Sequence, residues 1–307
     1  MTRLVYGTRG SALALAQAEL FESALQNAFP SLSLERKIIQ TTGDRRSDLS
    51  LKDLAAATGE TVDKGVFIKE LETALQAGEI QVAVHSLKDL PSELPETLAL
   101  AAVLPRADPR DVLVSKRPEL VAGDVIGTSS VRRARLLLQT RPGLRIEDIR
   151  GNVPTRLRKV AQGPFAATLL AKAGLDRLGA RFGNAEVQLG DERLFAEILD
   201  PLSFVPAGGQ GIVGLEVRAG DQETQARLQA INHGPTWQAA LAERAFLRIL
   251  EAGCHTPVGV HAHPREGGQR LRAVVFPEDD GPPREATVES GEKEPERLAQ
   301  ALFDELK

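Results

Sequence analysis

The sequence predicts an α/β fold built as two lobes, followed by a small α+β domain. Three observations point there. Strand-like and helix-like segments alternate through roughly the first two thirds of the 307 residues, the pattern of a sheet flanked by helices. A turn-rich crossing, Pro105-Arg106-Ala107-Asp108-Pro109, divides that alternation into two units. From about residue 222 the order changes to two helices, three strands and a last helix. The length suits the plan, being that of two ordinary domains or three small ones.

In the first unit, residues 4–8 read as a strand, and Ser11 is placed to cap a helix from 12 to about 28, which ends before Pro30. Residues 34–41 form a second strand. Residues 66–77 carry Phe67, Leu71, Ala74 and Leu75 at helical spacing and stop at Gly78. Short apolar strands at 80–84 and 98–104 complete the unit. In the second unit, Val125-Ile126-Gly127-Thr128 is strand-like, and Ser129-Ser130 cap a helix through about 139. Residues 145–150, a helix from about 154 to 161 and a strand at 166–170 continue the alternation. In the third unit, helices near 222–232 and 235–250 precede strands at 258–263, 271–276 and 286–289, and a final helix spans 294–306. No solenoid repeat is present. The two lobes echo each other: Gly7-Thr8-Arg9-Gly10-Ser11 and Gly127-Thr128-Ser129-Ser130-Val131-Arg132-Arg133 both lead from a strand into a helix N-terminus, where free N–H groups favour anions.

Composition removes several classes. Apolar residues at 42% and charged residues at 26% supply a core, which excludes a disordered or low-complexity chain. There is no apolar run of membrane-spanning length, and residues 1–7 lack an apolar signal core, so a cytoplasmic protein without membrane contact is expected. The single cysteine, Cys254, forbids an intrachain disulfide and fits a reducing compartment; zinc held by paired cysteines is equally impossible. No metal is expected, since the five histidines show no ligand spacing, and His261 and His263 fall on one strand face. A net charge of −4 argues against nucleic acid as partner.

The cations are more informative than their total. There are 28 arginines and 10 lysines. A genome rich in G and C explains such a bias equally well, but placement does not follow from it. Arg132, Arg133, Arg135, Arg141, Arg145, Arg150, Arg156 and Arg158 fall close together, with only Glu147 and Asp148 among them. In an acidic protein that concentration favours a local site for a small anionic ligand, because guanidinium forks hold carboxylates bidentately. Val82-Ala83-Val84-His85-Ser86-Leu87-Lys88-Asp89-Leu90-Pro91 places His, Ser, Lys and Asp at the carboxyl end of a strand, where open α/β sheets bind ligands. Extended backbone would set His85, Leu87 and Asp89 on one side and Ser86 and Lys88 on the other. A polar loop with an ordinary ion pair is the plain alternative. Cys254 lies between glycine and proline turns, although a lone cysteine is more often buried filler. The segment from Val205 to Gly214 is glycine-rich, yet it has neither a Walker pattern nor G-x-G-x-x-G. It fits a tight crossing between lobes.

Taken in order, these motifs resemble the porphobilinogen deaminase (hydroxymethylbilane synthase) family over nearly the whole chain. The resembling segments are Gly7–Ser11 with Leu13-Ala14, Phe67-Ile68-Lys69-Glu70-Leu71-Glu72, Ala83–Asp89, Asp108-Pro109-Arg110-Asp111, Gly127–Arg133, Arg150-Gly151-Asn152-Val153-Pro154-Thr155-Arg156, Gly209-Gln210-Gly211 and Gly253-Cys254-His255-Thr256-Pro257-Val258-Gly259. The resemblance implies a transferase that joins four porphobilinogen molecules into linear hydroxymethylbilane, releasing ammonia, in tetrapyrrole biosynthesis. It implies a dipyrromethane cofactor held by a thioether to Cys254, a catalytic Asp89, and cofactor contacts from Lys88, Ser129, Arg132 and Arg133. Arg9, Ser11, Arg150 and Arg156 would bind substrate, and Lys64 and Phe67 would belong to a lid loop. It also implies a monomer and a fold of two periplasmic-binding-protein-like lobes plus a cysteine-bearing domain. The expected divisions are 1–104 with 210–228, 105–205, and 229–307. Two departures stand out: Val62-Asp63-Lys64-Gly65 replaces the usual Gly-Gly-Lys-Gly lid after a longer stretch, and Gly208 stands where an apolar residue is common. A non-catalytic anion-binding protein would keep the arginines without needing Cys254. A cysteine hydrolase would need a base, for which the adjacent His255 is poorly placed.

Overall fold

The computed structural model describes residues 2–42, 68–251, 256–277, 281–291 and 294–307. Strand β1 (Arg3–Thr8) runs into helix α1 (Ala12–Ala28), whose Ser11 cap accepts the Ala14 N–H at 3.2 Å. Ala14, Ala18, Phe21 and Leu25 recur at helical spacing and are buried against the sheet. Each fully buried Phe or Leu of this kind contributes about 1.5–3 kcal/mol. Strand β2 (Ser33–Ile38) ends earlier than its sequence suggests, and helix α2 (Lys69–Gln76) gives way to Gly78 at φ +72°. Strands β3 (Val82–Ser86) and β4 (Leu98–Val103) follow.

After β4 the chain crosses over and builds β5 (Asp111–Ser115), β6 (Val125–Gly127), α3 (Val131–Thr140), β7 (Arg145–Glu147), α4 (Val153–Gln162), β8 (Ala167–Ala171) and α5 (Lys172–Arg177). Three antiparallel strands complete this part: β9 (Arg181–Gly183), β10 (Glu186–Leu189) and β11 (Glu192–Ile198). The chain then returns as β12 (Val213–Arg218). The first sheet has the order β2-β1-β3-β12-β4 and the second β7-β6-β8-β5-β11-β10-β9. Both are mixed: β1 pairs parallel with β2 and β3, while β12 is antiparallel to β3 and β4. The two α/β lobes, joined by two crossings, are the two-lobed plan implied by the resemblance. Sequence periodicity had left β5 and β9–β12 unread.

The last part comprises α6 (Gln222–Gln229), α7 (Gly234–Ile249), β13 (Val258–Arg265), β14 (Gly268–Val275), β15 (Arg284–Ser290) and α8 (Pro295–Glu305). Alternation along β14 sends Leu271, Ala273 and Val275 into a core with Phe246 and Leu302. Val274 points the other way and joins Val205, Phe204 and Leu136 of the second lobe. One buried carboxylate ties the whole together. Glu243 of α7 accepts the Arg106 guanidinium at 2.5 Å, the Gly209 N–H at 2.6 Å and the Ala262 N–H at 2.7 Å. It thus holds both crossings and β13. Burial alone would raise its pKa, but Arg106 and then His261 outweigh that and hold it at about 2. Among the described residues, no helix is long and apolar enough to cross a membrane.

Candidate active site

The site grows from the carboxyl end of β3. The strand ends at Ser86, and Leu87–Asp89 curl into a 3-10 turn closed by Leu90 N–H to the Leu87 carbonyl at 3.1 Å. The expected extended alternation through Asp89 therefore stops short. Leu87 turns inward to pack with Val103 and Ile212, while Lys88 and Asp89 stay half-buried. His85 does not join Asp89 on one face. It is buried, with Nε2 3.0 Å from Glu216 on β12, whose carboxylate is also buried. Ser86 Oγ meets the Gln17 amide at 2.7 Å. The returning crossing presses against this turn. Gly209 has φ +74°, and a Cβ there would lie 2.9 Å from the Lys88 backbone nitrogen, so only glycine allows the approach.

The second lobe supplies the arginines. Ser130 caps α3 by accepting the Arg133 N–H at 3.4 Å, and Ser129 Oγ donates to the Ile149 carbonyl at 2.9 Å. Arg132 and Arg133 leave α3 in different directions, yet both are buried on one fully buried carboxylate, Asp111. Arg132 Nη2 reaches Asp111 Oδ2 at 2.9 Å, and Arg133 reaches Oδ1 through Nη2 at 2.7 Å and Nε at 2.9 Å. Arg132 also donates to the Val205 carbonyl and Arg133 to the Leu169 carbonyl, at 2.7 and 2.9 Å. Burial would raise Asp111, but the two guanidiniums hold it at about 2.

Arg156, in the first turn of α4, donates Nε to the Gly151 carbonyl at 2.8 Å. Arg150 pairs with Asp148 at 3.0 Å, and its own Nε is buried without a partner. Electrostatics shows how close these groups stand. Lys88 is lowered to about 8 by burial and then by Arg133, against the opposing pull of Asp89 and Asp111. Arg156 falls to about 10 through burial, then Arg133 and Arg150. The lysine of one lobe and the arginines of the other thus share one region of positive charge beside Asp89. Arg9 and Ser11 occupy the corresponding turn of the first lobe, half-buried; Ser11 is engaged as the α1 cap.

Cys254, His255, Lys64, Phe67 and the Val62-Asp63-Lys64-Gly65 loop lie outside the described residues. Asp111 and Gln210 are the residues that sequence reasoning passed over. Both stood in motifs already quoted, but their partners lie about twenty and a hundred positions away. Among the described residues, no group of three or more His, Cys, Asp or Glu side chains is set to hold a metal; His261 and His263 stand with ring centroids 6.1 Å apart.

Two family models match the chain. "Porphobilinogen deaminase, dipyromethane cofactor binding domain" covers residues 4–226, and "Porphobilinogen deaminase, C-terminal domain" covers 237–307. The chain belongs to the porphobilinogen deaminase family. Its relatives of that name include one from Shouchella clausii, 45% identical over 92% of this chain and 86% of the relative. Another, from Desulforudis audaxviator, is 45% identical over 97% and 92%. One from Sorangium cellulosum is 42% identical over 100% and 99%. Among solved structures, the methionine-binding protein MetQ is 13% identical over 77% of this chain and 93% of its own, with a TM-score of 0.43. The family's activity is an enzymatic one, the polymerisation of porphobilinogen into hydroxymethylbilane for tetrapyrrole biosynthesis, with a dipyrromethane cofactor. The residues present fit that cofactor. The clustered guanidinium and ammonium groups outnumber the carboxylates beside them, and the buried Arg150 Nε still has a hydrogen to donate.

Proposed function

We propose that Asp89 is the catalytic carboxylate of this reaction, that Lys88, Ser129, Arg132 and Arg133 hold the cofactor, and that Arg9, Ser11, Arg150 and Arg156 hold porphobilinogen. The observation that carries this reading is the single electrostatic cluster formed by Lys88, Arg132, Arg133, Arg150 and Arg156 around the turn that bears Asp89. Each pyrrole unit brings two carboxylates, so a growing chain needs many fixed bidentate donors. When bound through Cys254, the dipyrromethane group supplies the pyrrole α-carbon to which the next unit is joined.

The protein's own residues do the rest. The arginines orient the substrate by its acetate and propionate groups. As the aminomethyl C–N bond breaks and ammonia leaves, positive charge spreads over the methylene-pyrrolenine. A carboxylate beside that cation stabilises it, the role this reading gives to Asp89. After the carbon–carbon bond forms, the pyrrole α-proton leaves, and Asp89 is the group on the turn able to accept it. Lys88, held at about 8, carries its charge below that pH and reinforces the anion hold there. The reading includes a cytoplasmic monomer that binds neither nucleic acid nor membrane; the net charge of −4 supports a small anionic substrate over a polyanion.

Intact-mass spectrometry of freshly purified protein tests the whole. An excess of two pyrrole units is expected in the unsubstituted protein and not in Cys254→Ala. Asp89→Asn should keep that excess but turn over porphobilinogen about 10²–10⁴-fold more slowly. Protein without the excess whose mass also fails to rise with porphobilinogen would sink the proposal.

A further inference from the structure

We propose that Asp111 is a positioning residue for this reaction: its carboxylate locks the Arg132 and Arg133 forks into one arrangement, and Gln210 ties that arrangement to the returning crossing. The inference rests on the reading above, that these two arginines hold the carboxylates of the cofactor; porphobilinogen must dock against that cofactor to react, so a loosened cofactor weakens substrate binding.

A fully buried acid in the middle of an anion site by itself works against binding, since it repels the ligand. Its geometry explains its presence. Successive residues on a helix point about 100° apart, so Arg132 and Arg133 diverge unless something gathers them. Asp111 does so with separate oxygens, Oδ2 for Arg132 and Oδ1 for Arg133. The far sides of the forks are fixed by carbonyls from two other places, Val205 in the returning crossing and Leu169 on β8. Two guanidiniums against one carboxylate leave the group positive, and each fork retains N–H groups for a ligand.

Gln210 extends the arrangement. It is buried, and Nε2 donates both to Asp111 Oδ1 at 3.2 Å and to the Pro109 carbonyl at 2.7 Å. Its backbone follows Gly209, which abuts Lys88. The side chain therefore spans from one crossing to the other and ends on the arginine anchor. With Asp111 held at about 2, the anchor stays ionised throughout any neutral assay.

The test is steady-state kinetics on protein whose attached cofactor mass has been verified. Gln210→Leu keeps the buried volume and removes the bond to Asp111. It should raise KM for porphobilinogen about three- to tenfold, with kcat within about twofold. Asp111→Asn should raise KM by tenfold or more; where that variant does not fold, Gln210→Leu decides. Combining Gln210→Leu with Arg133→Lys should raise KM by clearly less than the product of the single effects, because both act through one fork. An unchanged KM in Gln210→Leu, a loss confined to kcat, or effects that simply multiply would overturn the proposal. Unsubstituted protein that neither carries the mass excess nor consumes porphobilinogen would instead show that the underlying reading fails, and this one with it.

Discussion

The turn from β1 into α1 and the turn from β6 into α3 share their construction. In each, a glycine sits tightly among apolar side chains, a threonine is buried, and a serine caps the helix. They differ in what holds their cations. In the second lobe, Arg132 and Arg133 are buried on Asp111, whereas Arg9 in the first lobe is half-buried on a loop. One side of the site is thus set before any ligand arrives, through bonds that also carry stability. On the other side the cation is part-exposed, so solvent screening reduces what its contacts add to stability.

The sharpest way to break that contrast is to remove one cation from each side. Arg133→Met leaves Asp111 buried beside a single remaining guanidinium and should cost about 3–5 kcal/mol in urea unfolding. Arg9→Met should change stability by about 0.5 kcal/mol or less, while lowering kcat/KM. Equal losses would erase the distinction.

Acid sharpens it next. Asp111 is at about 2 when folded and near the ordinary carboxylate value of about 3.9 when unfolded. Its stabilisation is complete above roughly pH 4 and is lost as pH falls through about 2, a change of about 2–3 kcal/mol. Glu22 in the first lobe is also lowered: burial pushes it up, but the hydrogen bonds from Arg36 and Tyr6 and the Arg36 charge together outweigh that. That pair is part-exposed and screened. Hydrogen exchange followed down this range should show β5 and α3 losing protection before α1.

The paired glycines give a smaller effect. A Cβ at Gly127 would meet Ile149 Cβ at 2.9 Å, close to the backbone, and the Phe165 ring at 3.0 Å. At Gly7 the nearest atom, at 2.6 Å, is the end of the Ile80 side chain, which can swing aside. Gly127→Ala should therefore cost about 1–3 kcal/mol and Gly7→Ala less, read from thermal unfolding. Smallest are the caps: Ser11→Ala and Ser130→Ala should each cost about 1 kcal/mol, with near equality expected, since both accept one backbone N–H.

The contrast also explains what could be read from the sequence. Caps and helix spacing are local, so α1, α3, α4 and the last two helices were legible, as were the cation-rich stretch and the Lys88-Asp89 cluster. Strand β5 was not. Its five residues begin with Asp and end with Ser directly after a proline-rich crossing, too short for periodicity to register, although all five are buried. The alternation drawn through Asp89 failed because Leu87 is captured by Val103 and Ile212, which curls the chain into a 3-10 turn. The grip of Asp111 on two arginines and on Gln210 depends on tertiary approach, which residue type alone does not reveal.

Strand β12 lies between β3 and β4, and among the described residues β4 has no other neighbour in its sheet. During synthesis, β4 must therefore wait until residues 213–218 emerge. The second lobe, whose described strands all lie between Asp111 and Ile198, can complete its strand pairing before then. At the ordinary synthesis rate of about 5–20 residues per second, β4 remains unpaired for several seconds. Over that interval the nascent first lobe exposes an unpaired apolar edge, the kind of surface on which partly made chains aggregate.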